Sequence, residues 1–113
     1  MVIETKVKTF KEFWGVYVLA HQDKKNQALH FFATLLTFVF AGVFAITHKI
    51  IFLVLIPVGS YSLAWIGHLL HERNKPLTWK YPIFSLIADY KMFFMMILGR
   101  LDREIEKAKA TIS

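Results

Sequence analysis

The sequence contains no cysteine, three prolines and five glycines in 113 residues. Without cysteine there is no disulfide, no thiolate metal ligand and no cysteine nucleophile. Acidic residues are also scarce, since eight Asp and Glu stand against 14 Lys and Arg, giving a formal net charge of +6. The basic residues do not interleave with aromatics on a polar surface, as they do in nucleic-acid-binding modules. We therefore expect anionic lipid headgroups, and no nucleic acid, as the partner of this charge.

Two long stretches, residues 31–47 and residues 50–67, contain no Asp, Glu, Lys or Arg. Each is just long enough to cross a hydrocarbon core of about 30 Å as a helix that rises about 1.5 Å per residue. Because only His48 and Lys49 separate them, the sequence predicts a two-helix transmembrane hairpin. Pro57 interrupts the second stretch and predicts a kink there. A buried hairpin in a soluble protein is the alternative.

In a helical hairpin the two ends lie side by side. The residues before the first helix therefore lie next to the residues after the second helix. Four of the five histidines are therefore expected at one membrane face, with His48 alone at the other. Positive charge predicts the side: residues 1–29 hold five basic residues and residues 68–81 hold three, against Lys49 at the tip. The positive-inside rule places the histidine cluster in the cytoplasm, at a bacterial inner membrane or at the endoplasmic reticulum of a eukaryote.

The N-terminal part predicts an amphipathic helix over residues 5–20. Thr9 and Glu12 have the spacing of a capping box that begins a helix. An apolar, largely aromatic stripe follows at helical spacing, with Lys8 and Lys11 beside it. This pattern predicts a helix in the lipid headgroup layer, and a soluble helix packed on a core is the alternative. The stripe comprises Phe10, Phe13, Trp14, Tyr17 and Val18.

A third apolar segment spans residues 82–100 and contains Asp89 and Lys91 near its middle. An ionisable pair is costly at membrane depth, so we expect a tilted, re-entrant or interfacial helix with Asp89 facing protein or the site. The polar tail, residues 101–113, predicts a short solvated helix. The predicted fold class is thus all-α, a single membrane-embedded domain with these parts: 1–29 interfacial helix and polar segment, 30–67 hairpin, 68–81 connection, 82–100 third helix and 101–113 tail.

The residues at the hairpin mouth can bind a metal ion. His68 lies three residues before His71 and four before Glu72, so either pair can present two ligands on one helical face. Imidazoles with a carboxylate and no thiolate are the ligand set of a non-haem Fe(II), Zn or Mn site. A bis-histidine haem site is a further alternative. Single interfacial histidines are commonly surface or packing residues, so the indication comes from the four together.

The residue pattern also resembles a known family, the small membrane proteins related to the "metabolism of phytosphingosine to odd-numbered fatty acids" protein. The resemblance runs from about Phe10 to Arg100. It is carried by three motifs: His21-x4-Asn26-x3-His30, then Trp65-Ile66-Gly67-His68-x3-Glu72-x3-Pro76, then Tyr81-Pro82-x2-Ser85-Leu86-x2-Asp89.

The resemblance implies an Fe(II)-dependent dioxygenase of fatty acid α-oxidation, which uses O₂ to shorten a 2-hydroxy long-chain fatty acid by one carbon. It further implies His21, His30 and His68 as iron ligands and Glu72 as a fourth ligand or a residue that orients one of them. The remaining candidate site residues are Asn26 as a catalytic hydrogen-bonding residue, His71 as a further ligand, and Arg73 and Asp89 as substrate-binding residues.

The competing hypothesis is a non-enzymatic membrane scaffold or lipid-binding protein whose histidines line the interface. Metal content and turnover of a 2-hydroxy acid discriminate the two. The sequence does not specify the oligomeric state or the chain length of the substrate.

Overall fold

The computed structural model describes residues 7–112, which are mostly helical with no strand among them. The predicted all-α class is therefore confirmed for this range, while residues 5 and 6 of the first predicted helix, including Lys6, lie outside it. A π-helical segment, Gly67–Glu72, continues α3, and a short 3-10 turn spans Leu77–Trp79. The helices are α1 Phe10–Leu19, α2 Lys24–Thr47, α3 Ile51–Ile66, α4 Pro82–Ile97 and α5 Leu101–Ile112.

The chain forms two compact units. The hairpin unit is Asp23–Pro76. The terminal unit combines the chain up to Gln22 with the chain from Leu77 onwards. The hairpin unit is thus inserted in sequence between the two parts of the terminal unit.

The hairpin unit contains two helices that are long and apolar enough to cross a membrane. These are Lys24–Thr47, with a mean hydropathy of 2.1, and Ile51–Glu72, with 1.6. The first begins at Asp23, whose side chain accepts hydrogen bonds from the backbone N–H groups of Lys25 and Asn26. It ends where His48 adopts a left-handed conformation (φ 58°). Pro57 lies inside α3.

Polar bonds join α2 to α3 within the apolar part of the hairpin. The hydroxyls of Thr37 and Ser60 lie 2.7 Å apart, and the Ser60 hydroxyl also donates to the Ala33 carbonyl at 3.2 Å. Thr37 itself bonds back to Ala33, as its place in an apolar helix predicts. Interhelical hydrogen bonds of this kind fix the register of two apolar helices, because contacts between apolar surfaces alone give little specificity.

The terminal unit packs α1 against α4 and α5. Thr9 caps α1 by accepting from the Glu12 N–H at 3.2 Å, so the capping hydroxyl of the predicted box is in place. The aromatic stripe of α1 faces inward: Phe13 and Val18 are 0% exposed. These side chains contact protein, as the alternative of a helix packed on a core predicts, and the placement of α1 in the headgroup layer stays a prediction.

The C-terminal helix differs from the prediction of a solvated tail over residues 101–113. α5 is amphipathic and buries one face in the same core as α1. Its buried residues recur at i, i+4 and i+7, which is the pattern of a helix with one apolar side. The Trp14 indole donates to the Glu104 carboxylate at 2.9 Å, and this bond joins α1 to α5. The buried residues of α5 are Leu101, Ile105 and Ala108.

Candidate metal centre

Two histidines meet at the mouth of the hairpin unit. The rings of His30, on α2, and His68, in the π-helical segment, are perpendicular with centroids 4.9 Å apart. Both are buried, at 4% and 2% exposure, and a ligand nitrogen of each lies within 4.8 Å of one from the other. The return of the chain predicted from two charge-free helices thus brings these imidazoles together.

Each of the two rings is oriented by an oxygen atom. His30 Nδ1 lies 3.0 Å from the backbone carbonyl of Asn26, one turn earlier in α2. His68 Nδ1 lies 2.7 Å from the side-chain oxygen of Asn74. Because a carbonyl oxygen only accepts, Nδ1 is the protonated nitrogen in both rings and the lone pair sits on Nε2. Histidines that bind metals are held in this way by a second hydrogen bond.

The third buried histidine, His21, belongs to the terminal unit and shows the same arrangement. Its Nδ1 lies 2.6 Å from the backbone carbonyl of Tyr17, at the C-terminal end of α1. The same carbonyl also accepts from the Ala20 backbone N–H at 3.1 Å. His21, His30 and His68 are thus three buried histidines, each able to offer one ring nitrogen to a metal ion.

Glu72 stabilises the start of α2. Its carboxylate accepts from the Asp23 backbone N–H at 2.5 Å and from the Asn26 side-chain amide at 3.4 Å. An acidic group is stabilising at a helix N-terminus, where backbone N–H groups point outward. Of the two roles proposed for Glu72, this contact favours the one in which it orients a neighbour.

The side-chain oxygen of Asn26 is a candidate hydrogen-bond acceptor in the site. The residue is 0% exposed, and its side-chain oxygen has no hydrogen-bond partner among the described residues. This oxygen packs over Gly67, at the point where α3 becomes π-helical. π-Helical turns occur preferentially at functional sites. The catalytic role predicted for Asn26 stays a prediction, but its backbone and side chain both contribute to the site.

Asn74 was not identified from the sequence. It follows Arg73, which adopts a left-handed backbone conformation (φ 58°) and ends the π-helical segment. The Asn74 backbone N–H donates to the His68 carbonyl at 3.0 Å. The turn therefore folds the Asn74 side chain back onto His68. A polar residue six positions after a candidate ligand carries no periodic signal, because the turn determines the contact.

The other predicted site residues lie elsewhere. Among the described residues, His71 does not join a three-residue group of metal-capable side chains. Arg73 is exposed, and His48 is exposed at the hairpin tip, away from the other histidines as predicted. Asp89 lies in α4 and accepts a hydrogen bond from the Tyr17 hydroxyl at 2.5 Å. Its carboxylate is committed to protein in the terminal unit.

Burial changes the proton affinities of this Tyr17–Asp89 pair. It raises the pKa of Asp89 to about 7, and the bond from Tyr17 only partly opposes that rise. Burial and the neighbouring Asp89 raise the pKa of Tyr17 well above its ordinary value. The tyrosine is therefore a neutral hydrogen-bond donor at physiological pH.

Neutral imidazoles with lone pairs directed by fixed Nδ1–H groups suit Fe(II), Zn and Mn, and the absence of cysteine excludes thiolate ligation. The donor set therefore fits a non-haem metal ion. Helices long and apolar enough to cross a membrane, together with three buried histidines that could bind a metal ion, are compatible with the class of membrane metalloproteins.

Comparison with known proteins agrees with this class. A family model described as "2-hydroxy-palmitic acid dioxygenase Mpo1-like" matches residues 7–101, and the chain belongs to this Mpo1-like family. The resemblance derived from the sequence motifs is thereby confirmed. No curated protein and no solved structure matches the chain. The family description implies a dioxygenase role in fatty acid metabolism.

Proposed function

We propose that this protein is an Fe(II)-dependent membrane dioxygenase that shortens 2-hydroxy fatty acids by one carbon. The observation that carries the proposal is the set of three buried histidines, each with Nδ1 bonded to a protein oxygen. Histidines that bind metals almost always donate the N–H of the other ring nitrogen to an oxygen acceptor in this way. Membership of the Mpo1-like family supplies the substrate class.

In this proposal, Nε2 atoms of His21, His30 and His68 hold the ion. When bound, Fe(II) supplies a site for the hydroxyl and carboxylate of the substrate and for O₂. His71 is a further candidate ligand in this proposal, after these three histidines. Glu72 holds the start of α2, and with it the Asn26 carbonyl that orients His30.

The proposed reaction balances with O₂ as the oxidant. The bond between C1 and C2 of the 2-hydroxy acid breaks, and C2 becomes the carboxyl carbon of the shortened acid. C1 leaves as carbon dioxide, and water completes the balance. C2 and C1 together lose four electrons, which is the capacity of one O₂ molecule. The protein's contribution is to bind, orient and shield the reacting end of the substrate.

The buried Asn26 oxygen is the candidate acceptor for the 2-hydroxyl group of the substrate. A buried oxygen without a partner carries a desolvation cost that such a donor would relieve. Arg73, exposed just after the π-helical segment, is the candidate partner for the substrate carboxylate.

The proposed environment of the hairpin unit is a lipid bilayer. Both long helices expose large apolar side chains along their length, including Phe32, Val39 and Val54. The acyl chain of a substrate would lie in the same hydrocarbon phase. The excess of basic residues near the mouth supports a site on the cytoplasmic side.

The terminal unit also has a candidate lipid surface, on α4. Ile83, Ile87, Phe94 and Leu98 recur along one face and are 49% to 67% exposed. At 16 residues this helix is shorter than the two continuous helices of the hairpin unit, Lys24–Thr47 with 24 residues and Ile51–Glu72 with 22. We therefore assign it to the membrane interface, which agrees with one of the three placements predicted from its sequence.

The decisive experiment measures iron and turnover in the same preparations. Purified protein in nanodiscs is reconstituted with Fe(II), and bound iron is determined after gel filtration. Conversion of 2-hydroxypalmitic acid in the presence of O₂ is followed by mass spectrometry. We expect about one iron per chain and an acid with one carbon fewer in the wild type, and loss of both in His30→Ala and His68→Ala.

His48→Ala is the matched control, because His48 is exposed at the hairpin tip. It should bind iron and turn over as the wild type does. Negligible iron in the wild type and in every variant, with no shortened acid at any chain length, would establish the scaffold alternative instead.

A further inference from the structure

Tyr17 makes two contacts with His21. Its ring stacks on the imidazole with centroids 4.0 Å apart and planes 23° from parallel. Its backbone carbonyl accepts from His21 Nδ1 at 2.6 Å. His21 lies beyond the end of α1, and its backbone N–H donates to the Val18 carbonyl at 3.1 Å. The two contacts with Tyr17 connect the orientation of the His21 ring to the position of Tyr17.

Tyr17 is held at its far end by α4. The residue is 1% exposed, and its hydroxyl donates to Asp89 at 2.5 Å. Leaving a buried hydroxyl without an acceptor costs about 1–3 kcal/mol. The bond to Asp89 therefore strongly favours one position of the Tyr17 ring. Asp89 is separated from Tyr17 by 72 residues of chain and couples α1 to α4.

The Tyr17 ring also stacks on a second aromatic ring of α1. The Trp14 indole stacks on it with centroids 5.7 Å apart and an interplanar angle of 14°. Trp14 in turn donates to Glu104, and the Lys91 ammonium lies 4.4 Å from its ring centroid. Trp14, Tyr17 and His21 thus form one aromatic column in the terminal unit, with polar anchors from α4 and α5.

We propose that Asp89 and Tyr17 are positioning residues for His21, and that the Tyr17 hydroxyl bond to Asp89 sets the direction in which His21 presents Nε2 to the metal. This inference rests on the proposed function, and it replaces the substrate-binding role predicted for Asp89. The bond acts through the ring: if the hydroxyl is released, Tyr17 can tilt and both of its contacts with His21 change together.

The test uses cobalt as a spectroscopic probe of the ligand sphere. Full-length protein in nanodiscs is stripped of metal and titrated with Co²⁺, and visible d–d absorption is recorded to saturation. Partners that orient metal ligands typically contribute 10- to 100-fold to affinity. We expect Tyr17→Phe and Asp89→Leu each to weaken Co²⁺ binding by about tenfold and to change the shape of the saturated spectrum.

Two further variants separate positioning from stability. Asp89→Asn keeps an oxygen acceptor for the Tyr17 hydroxyl and should retain the wild-type affinity and spectrum. The double variant Tyr17→Phe/Asp89→Leu should be no weaker than either single variant, because both remove one bond. Ile105→Ala removes buried methyl groups from the same core. It should lower the melting temperature while leaving Co²⁺ affinity and spectrum unchanged.

The inference is overturned if Tyr17→Phe binds Co²⁺ like the wild type, or if Ile105→Ala weakens binding as much as Tyr17→Phe does. His30→Ala and His68→Ala report on the proposed function separately. If these two leave Co²⁺ binding intact, the metal centre itself is refuted. If they abolish it while Tyr17→Phe does not affect it, only the positioning role fails.

Discussion

Gly67 and Asn26 are in contact across the hairpin mouth, and the contact leaves no room for a larger residue at Gly67. A Cβ at this position would overlap the Asn26 side-chain oxygen and lie 2.9 Å from its Cγ and 3.3 Å from its Cα. His68 follows Gly67 directly, and His30 follows Asn26 by one helical turn. The close approach of these two backbones is therefore what lets the two imidazoles meet.

Gly67→Ala should accordingly destabilise the hairpin unit. Overpacking at such a contact costs about 1–3 kcal/mol, which exceeds the gain of about 1 kcal/mol from replacing glycine in a helix. The free energy of unfolding in detergent, measured by circular dichroism, should fall. Gly42→Ala is the control, since its Cβ would meet nothing within 4 Å. Equal stability of the two variants would refute the close-contact interpretation.

Asn74→Leu should weaken iron binding without removing a ligand. It deletes the oxygen that fixes the Nδ1–H tautomer of His68, and such partners contribute about 10- to 100-fold to metal affinity. Competition with a coloured Fe(II) chelator measures the change. Asn74→Asp keeps an acceptor at this position and should bind iron well. Lys75→Ala, at an exposed neighbour, is the control for nonspecific effects.

The bond between Thr37 and Ser60 should contribute modestly to the hairpin. Hydrogen bonds between membrane helices average about 0.6 kcal/mol in double-mutant cycles. The cycle Thr37→Val, Ser60→Ala and the double variant, followed by unfolding in detergent, should yield a coupling energy of that order. Thr47→Val in place of Thr37→Val should show no coupling to Ser60, because the Thr47 hydroxyl bonds to Val43 near the hairpin tip.

The terminal unit should lose stability as the pH rises from about 4 to about 7. Asp89 has an ordinary pKa of 3.8 that burial raises to about 7, so the folded state binds the proton more tightly than the unfolded state does. Stability then falls with pH between these two values and is constant above them. Thermal unfolding followed by Trp fluorescence measures this. Asp89→Asn should have a flatter profile in the same window, and an unchanged slope would exclude Asp89 as its source.

The hairpin and its histidine pair could be predicted because their signals are local. Charge-free runs define helix length, and a two-residue connection requires the chain to return. The spacing of Asn26 and His30 survives in the structure because both lie in one regular helix, α2.

The partner of the α1 aromatic stripe could not be predicted in the same way. A stripe at helical spacing has the same appearance whether it faces lipid or protein. The partner residues lie far along the chain, since Trp14 and Glu104 are 90 positions apart. The spacing of Leu101, Ile105 and Ala108 was the available signal, and it becomes meaningful once α5 is recognised as amphipathic.

The contacts of His68 depend on backbone geometry that the sequence pattern does not encode. The π-helical register of Gly67–Glu72 and the left-handed conformation of Arg73 determine where Asn74 and Glu72 point. Regular α-helical spacing predicted His68 and Glu72 as a ligand pair. In the structure the Glu72 carboxylate accepts hydrogen bonds at the start of α2, and its role as a metal ligand stays a prediction.

The discontinuous terminal unit has a consequence for biosynthesis. The ribosome makes α1 first, but the helices that complete its core, α4 and α5, emerge only after the whole hairpin unit. The nascent chain therefore exposes Phe13, Trp14 and Tyr17 until α4 and α5 have been made. This core can fold only after α5 has been synthesised, so α5 is the helix that completes it.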